Sequence, residues 1–243
     1  MEIRIAHLYP ALLNIYADRG NIICLAKNCQ WRGIDVVVDE FDLGKKPDWE
    51  AYDFFYLGGG QDRDQLLVCR DLAAMGSGLM EAVEAGAVLL AVCGGYQLLG
   101  EFYRTAAGET MEGVGLFRAY TVAGQRRCIG NVALESDMEG RRLTLAGFEN
   151  HSGKTYLRDG QQPLGRVVAG FGNNAEDGTE GIIHKNAIGT YLHGPLLPKN
   201  ALLTHHLLEK SLKHRYGPDA VLTAVEHALE DEALDVAVRL ARR

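Results

Sequence analysis

The chain has 243 residues, of which 47% are hydrophobic and 23% are charged, with 29 glycines and 6 prolines. This composition excludes a collagen-like, low-complexity or disordered chain and predicts a compact domain with a substantial core. The net charge of −7 excludes a basic footprint for nucleic acid. The longest apolar run, Ala87–Cys93, is far shorter than the roughly 20 residues of a membrane helix, and the N-terminus lacks the apolar stretch of a signal peptide. We expect a soluble, cytoplasmic protein without membrane insertion or a nucleic-acid partner.

The cysteine pattern excludes two further classes. The chain has five cysteines, an odd number, and no two of them form a CxxC pair; they are Cys24, Cys29, Cys69, Cys93 and Cys128. A disulfide-stabilised secreted domain or a zinc finger requires a different count and spacing. We therefore expect reduced cysteines and no metal site.

Short β-rich segments and helical segments alternate along the first part of the chain. This alternation is typical of βαβ units and predicts an α/β fold with a mostly parallel sheet. The predicted strands are Ile3–Leu8, Ile34–Val38, Asp53–Leu57 and Ala87–Val92, and the predicted helices are Asn21–Gln30 and Leu66–Gly86.

The second part of the chain is different in character. The segments 113–131 and 141–147 have the pattern of short strands between turns, which predicts a short antiparallel flank on the sheet. Ala187–Leu192 is a late strand. Helical periodicity then predicts two tail helices, Ala201–Tyr216 and Pro218–Leu240.

We divide the chain accordingly into one α/β domain, residues 1–197, and a C-terminal helical extension, residues 198–243, packed on or beside it. No internal repeat and no long linker divides the first of these regions.

Cys93 has the sequence setting of a catalytic nucleophile. It follows the buried strand Ala87–Val92 and precedes Gly94 and Gly95, after which an apolar helical segment begins. A nucleophile elbow needs this arrangement, because small neighbours allow the sharp strand-to-helix turn. The N-terminus of the following helix also favours the thiolate form. The alternative, a buried cysteine at a strand end, describes most cysteines; the other four lack this setting.

His193 is the candidate partner of that cysteine. It lies in the segment Gly189–Pro195 at the carboxyl end of the late strand. Ligands of open α/β sheets collect beyond the carboxyl ends of the strands, so His193 and Cys93 are expected to share one crevice. Most isolated histidines are structural, but a cysteine nucleophile requires a base.

Four segments together carry a family resemblance: VCGGYQLLG, TYLHGP, HLYPALLNIYADRGN and YLGGGQDRDQ. The chain resembles the class I glutamine amidotransferases of the CobB/CobQ-like (cobyric acid synthetase) family, and within it the GatD branch, over residues 3 to about 197. The resemblance implies a flavodoxin-like fold and hydrolysis of L-glutamine to glutamate and ammonia. Members of that branch form a heterodimer with a MurT-like Mur ligase, which uses the ammonia to amidate the D-glutamate α-carboxyl of lipid II. The resemblance implies no cofactor in this chain, with ATP and magnesium only on the ligase.

The resemblance also assigns roles to residues. It implies that Cys93 attacks the glutamine amide, that His193 acts as the base, and that a thioester forms. Backbone N–H groups are suited to stabilise the oxyanion. Gly94 is expected to supply one, and the loop Gly58–Gly60, represented by Gly59, the other.

Three further positions are candidates for substrate binding or for the pocket wall. Arg127, rather than its neighbour Arg126, matches the arginine expected to bind the glutamine α-carboxylate, since a guanidinium pairs with a carboxylate bidentately. Gln97, one helical turn beyond the cysteine, is expected to contact substrate. The segment Glu149–His151 resembles a short family motif without an assigned role, and a pocket wall is favoured over a metal site for it.

Two positions depart from the family pattern. Ala91 replaces a small glycine two residues before Cys93, and we expect the elbow to tolerate it. Pro195 replaces the glutamate that usually orients the imidazole. Either another local group orients His193 or the partner subunit supplies a carboxylate; the expectation here is an aspartate of the MurT-like subunit.

Three other functions compete with this interpretation. A glutaminase of another synthetase, for example one of the cobyric acid type, would also need a separate partner, because the chain has no GxxxxGK[ST] motif. A stand-alone hydrolase of glutamyl amides is disfavoured by the missing glutamate. A non-catalytic scaffold is disfavoured because packing alone does not require a cysteine at a strained elbow.

Overall fold

A computed structural model of the chain describes residues 1–15 and 18–243. Two positions of the segment HLYPALLNIYADRGN, Tyr16 and Ala17, lie outside the described residues. The strands are β1 (Glu2–Leu8), β2 (Asp35–Phe41), β3 (Phe54–Leu57), β4 (Val88–Val92), β5 (Phe102–Arg104), β6 (Thr110–Glu112), β7 (Ala119–Met138), β8 (Arg141–Leu157), β9 (Gly165–Ala169), β10 (Thr179–Glu180), β11 (Ile182–His184) and β12 (Ala187–Thr190). The helices are α1 (Arg19–Trp31), α2 (Asp62–Glu84), α3 (Gly94–Leu98), α4 (Ala201–Tyr216) and α5 (Ala228–Ala241).

A mostly parallel sheet forms the centre of the molecule. Its order is β11-β12-β4-β3-β1-β2, and only the edge pair β11–β12 is antiparallel among the described strands. β3 and β4 are buried along their whole length, which explains why their sequences are continuously apolar rather than alternating. The predicted α/β class with a mostly parallel, flavodoxin-like sheet is confirmed.

The antiparallel flank is more extensive than the sequence indicates. β7 and β8 form one long hairpin that is paired from Ala119 opposite Leu157 to Met138 opposite Arg141, and it joins β5, β6, β9 and β10 in a second sheet. The register shifts between Ala123 and Cys128. That irregularity, with polar residues on the outward face, interrupts the alternation on which a strand prediction depends.

The helices differ from their predicted bounds mainly where packing overrides local preference. α2 runs unbroken through Gly76 and Gly78. A Cβ on Gly78 would lie 2.2 Å from Trp49 Nε1, so the glycine permits a close contact rather than breaking the helix. α4 matches the prediction at Ala201–Tyr216, whereas the last helix begins ten residues later than predicted, at Ala228. Gly217 at φ 95° ends α4, and most of the segment before Ala228 is exposed, with no buried stripe to stabilise a helix.

The helices cover the parallel sheet and contribute to one core. Four leucines of α4 are buried in the same apolar cluster as the sheet: Leu203, Leu207, Leu208 and Leu212. The division into residues 1–197 and 198–243 stays a prediction. Within the described part of the chain, no helix combines the length and apolarity needed to cross a membrane.

Candidate functional site

The backbone at Cys93 has the strained geometry of a nucleophile elbow. Cys93 connects the end of β4 to the start of α3 with φ 51° and ψ −104°, a conformation that costs a non-glycine residue about 1–3 kcal/mol. Its backbone N–H donates a 2.8 Å hydrogen bond to the carbonyl of Thr190 at the end of β12. The elbow is therefore fixed to the strand that leads to His193, and Ala91 is compatible with it.

Glycines bring the loop after β3 into direct contact with the elbow. The N–H of Gly95 donates to the carbonyl of Gly58 over 3.1 Å. A Cβ on Gly94 would lie 2.9 Å from the backbone nitrogen of Gly60, and a Cβ on Gly95 would lie 2.7 Å from Leu57 Cβ. Because any side chain at either position would separate the two segments, the glycine pair is required by close packing.

His193 lies fully buried beside Cys93, as the sequence predicts for a shared crevice. It follows β12, and its backbone is held on β8 by two hydrogen bonds with Phe148, of 2.8 and 3.2 Å. Burial lowers the pKa of His193, but the negative charge of the Cys93 sulfur and hydrogen bonds with Asp18 and Cys93 raise it more, to about 10. An imidazolium at neutral pH stabilises the thiolate form of its neighbour.

A carboxylate of this chain contacts His193. Asp18, immediately before α1, is fully buried, and its Oδ1 lies 3.2 Å from His193 Nδ1. Asp18 is thus a local group in contact with the imidazole, and the expected aspartate of a MurT-like subunit stays a prediction. Pro195 cannot take that role, but the parallel sheet brings the start of α1 next to the end of β12.

The expected oxyanion donor Gly59 is also corrected. Its N–H donates to Asp18 Oδ2 over 2.8 Å, so it is directed toward the carboxylate rather than toward Cys93. A Cβ there would lie 2.9 Å from His193 Cε1, which explains why the position is glycine. The next residue, Gly60, lines the cavity at Cys93, and its nitrogen approaches Gly94. Gly60 and Gly94 are thus the pair whose backbone nitrogens lie at the elbow.

A cavity of about 640 Å³ opens at Cys93 and is lined by Arg127 and Gln97. Arg127 lies where four residues of β7 oppose a single residue of β8. This bulge places Arg127 over the cavity, where its Nε donates to Asn150 Oδ1 over 2.9 Å. A guanidinium held at a cavity rim can bind a carboxylate.

Gln97 forms part of the cavity floor. Its Nε2 donates to the hydroxyl of Tyr191 over 3.0 Å, and the Tyr191 ring stacks on His151 with centroids 3.6 Å apart. Glu149 accepts hydrogen bonds from the backbone N–H groups of Phe171 and Gly172, of 2.7 and 2.9 Å. Asn150 and His151 thus line the pocket, with Asn150 holding Arg127, whereas Glu149 is buried and is not among the lining residues.

Sequence reasoning missed Asp18 and Gln65. Gln65, on α2, is buried; its Nε2 donates to the carbonyl of Gly60 over 3.0 Å, and its Oε1 has no partner among the described residues. Because a carbonyl only accepts, this contact fixes which end of the amide faces the loop. The spacing in GGGQDRDQ could have indicated Gln65. It lies one helical turn after Gln61, so its side chain can reach back to the glycine loop. Asp18 has no local signal.

The described residues contain no cluster of three or more histidine, cysteine or acidic side chains able to hold a metal ion. The site instead combines a strained cysteine and an arginine that line one cavity with a buried imidazole–carboxylate pair and the backbone nitrogens of Gly60 and Gly94 beside the cysteine. These are the components of acyl transfer through a thiolate nucleophile.

Residues 4–201 match the model of the CobB/CobQ-like glutamine amidotransferase domain. The chain belongs to this family of glutamine amidotransferases, in agreement with the sequence resemblance, and is a glutamine-hydrolysing enzyme subunit by class.

Two curated relatives are similar over almost the whole chain. The chain is 42% identical to the GatD subunit of the glutamine-hydrolyzing lipid II isoglutaminyl synthase of Streptococcus pneumoniae, over 95% of this chain and 88% of that protein. It is also 42% identical to the subunit of the same name from Staphylococcus aureus, over 100% of this chain and 97% of that one. A probable cobyric acid synthase of Methanococcus maripaludis is 35% identical over only 49% of this chain and 25% of its own length.

Solved structures agree on the fold. A crystal structure of a glutamine amidotransferase superposes with a TM-score of 0.57 at 15% identity, over 85% of this chain and 98% of that one. A glutamine amidotransferase from Thermotoga maritima superposes with a TM-score of 0.52 at 15% identity, over 99% of this chain and 95% of that one. At this identity the likeness concerns the fold alone.

Proposed function

We propose that this chain is the glutaminase subunit of a lipid II isoglutaminyl synthase. It hydrolyses L-glutamine and delivers ammonia to a MurT-like Mur ligase in a cytoplasmic heterodimer. The ligase then amidates the D-glutamate α-carboxyl of lipid II to D-isoglutamine. The observation that carries the proposal is 42% identity across nearly the full chain to two subunits of that name, together with the Cys93–His193–Asp18 arrangement, in which Cys93 lines the cavity.

The first half of the reaction forms a thioester. The Cys93 thiolate attacks the amide carbon of glutamine, and the oxyanion accepts hydrogen bonds from the N–H groups of Gly94 and Gly60. The His193 imidazolium gives its proton to the amide nitrogen, the carbon–nitrogen bond breaks, and ammonia leaves. Asp18 holds the imidazole with Nδ1 as donor, so that Nε2 is the atom that exchanges the proton.

The second half of the reaction restores the enzyme. Neutral His193 accepts a proton from water, whose oxygen attacks the thioester carbon, and the carbon–sulfur bond breaks. Glutamate leaves, the Cys93 thiolate re-forms, and the imidazolium is again in place. Arg127 binds the α-carboxylate throughout, which aligns the amide with the sulfur. None of these steps uses a cofactor in this chain; the proposal assigns ATP and magnesium to the ligase.

The test measures two reactions. The chain is assayed for glutamate release from glutamine, and then, with a purified MurT-like ligase, ATP, magnesium and lipid II, for amidation. Cys93→Ala should abolish glutamate release and glutamine-dependent amidation, while ammonium chloride should restore amidation. Cys128→Ala, at a buried cysteine outside the elbow, is the matched control and should retain both reactions.

Three results would contradict the proposal. Glutamine-dependent amidation by the Cys93→Ala complex would exclude Cys93 as the nucleophile. Glutamate release without amidation of lipid II would show a glutaminase that serves another acceptor. No glutamate release by the wild-type chain, alone or with the ligase, would favour a scaffold.

A further inference from the structure

One wall of the glutamine cavity carries a negative charge that the proposed reaction does not use. Among the described residues that line the cavity, Asp62 is the one carboxylate, and the cations there are Arg63 and Arg127. Asp62 is the first residue of α2, directly after the loop that ends at Gly60 and Gln61. It is therefore connected to the oxyanion loop along the chain.

The position of Asp62 is fixed by a buried tyrosine. The hydroxyl of Tyr103, a residue only 2% exposed, donates to Asp62 Oδ1 over 3.3 Å. The same hydroxyl contacts Ser152, the single residue of β8 opposite the bulge that carries Arg127. Tyr103 thus ties Asp62 to the wall that presents the arginine. Asp62 Oδ2 has no hydrogen bond with a described residue and is available to a ligand.

Glutamine presents two opposite charges at its α-carbon, and the cavity offers one group of each sign. A guanidinium binds the α-carboxylate, but Arg127 does not distinguish an amino acid from a simple acid with the same chain length. An ammonium needs an acceptor, and carboxylate oxygens make its strongest hydrogen bonds. Asp62 and Arg127 line the same cavity. The Tyr103 hydroxyl contacts both Asp62 and Ser152, which lies opposite the bulge of Arg127. We therefore expect one ligand to contact both charged groups.

We propose that Asp62 binds the α-ammonium of glutamine and makes the site selective for amino acids over amides that lack this group. The inference rests on the proposed glutaminase function and adds a specificity residue to it. Tyr103 is a positioning residue, because it acts by holding Asp62 Oδ1 and leaves Oδ2 to the substrate.

The test compares L-glutamine with 4-carbamoylbutanoate, which is glutamine without the α-amino group. The full chain, with its ligase partner where turnover requires it, is assayed for the KM of glutamine and for the Ki of 4-carbamoylbutanoate as a competitor. Asp62→Asn should raise the KM for glutamine by about ten-fold or more. This factor corresponds to the lower end of the energy range for a hydrogen bond to a charged group, because Asp62 is exposed. It should leave the Ki of 4-carbamoylbutanoate and kcat within about two-fold, since neither depends on the ammonium.

Asp64→Asn is the matched control, because Asp64 lies in the same first turn of α2 but outside the cavity lining; it should change neither constant. Asp62→Glu, which keeps the charge, should recover part of the affinity for glutamine.

Each other outcome overturns the proposal. An unchanged KM for glutamine in Asp62→Asn would show that Asp62 does not bind substrate. An equal rise of KM and Ki would show that Asp62 only shapes the cavity. If the wild-type chain releases no glutamate, with or without the ligase, the proposed glutaminase function is refuted. That result differs from a failure of the Asp62 proposal, in which wild type is active.

Discussion

Replacing Asp18 with asparagine tests whether this chain completes its own catalytic centre. The substitution keeps the shape of the side chain and removes its charge. The asparagine oxygen can still accept the 2.8 Å hydrogen bond from the Gly59 N–H, which leaves its NH₂ group facing His193 Nδ1. Nδ1 must then accept, so the proton of a neutral imidazole moves to Nε2, and the ring is no longer a base toward Cys93 or water.

The magnitude follows from the contacts that are lost. Asp18 is fully buried, and a hydrogen bond between charged groups contributes about 1.5–3 kcal/mol. That energy corresponds to a loss of roughly 10- to 150-fold in kcat, and the wrong tautomer adds to it. Asp18 raises the pKa of His193; its removal lowers that pKa, so the alkaline limb of the pH–rate profile should move to lower pH.

The assay is glutamate release at saturating glutamine across a pH series, for the chain alone and with the ligase. Asp53→Asn is the matched control, because Asp53 is also a buried carboxylate but pairs with the backbone of Arg4 and the side chain of Arg215. It should lower stability and leave the pH profile in place. Equal rates and equal pH profiles for Asp18→Asn and wild type would refute the reasoning. If the Asp18→Asn chain is inactive by itself but recovers full activity when the ligase is added, a carboxylate of the partner subunit orients His193.

Three more predictions follow from the same site. Arg127→Ala should raise the KM for glutamine by roughly ten-fold or more through loss of the α-carboxylate contact, whereas Arg126→Ala, as control, should not; steady-state kinetics decide between them. Gly94→Ala should lower kcat by about 100-fold or more, because the new Cβ would lie 2.9 Å from the Gly60 nitrogen and displace one oxyanion donor. Retained activity with a native circular dichroism spectrum would contradict this. Glutamate release should persist through neutral pH and decline as the pH rises toward 10, because the pKa of His193 is raised to about 10 and the imidazolium loses its proton there. A decline centred near pH 6.5 would contradict the proposed imidazolium–thiolate pair.

The sequence alone determined the features that depend on short stretches of chain. A run such as Ala87–Val92 is typical of a strand buried on both faces, and Gly94 and Gly95 after Cys93 allow the sharp turn because they have no Cβ. His193 at the end of a strand was predictable because parallel strands present their carboxyl ends to one crevice. For these residues, the local sequence pattern correctly predicted the position that each residue has in the folded structure.

Only the tertiary structure decided which groups complete the site. Asp18 and His193 are 175 positions apart, and no periodicity connects them; they meet because β1 and β12 are parallel strands of one sheet. Gly59 is likewise decided by tertiary structure, because its N–H donates to the Asp18 carboxylate rather than pointing to Cys93, and we therefore propose Gly60 as the donor. The bulge that exposes Arg127 likewise exists only when β7 pairs with β8, because a register is a property of two strands and not of either sequence.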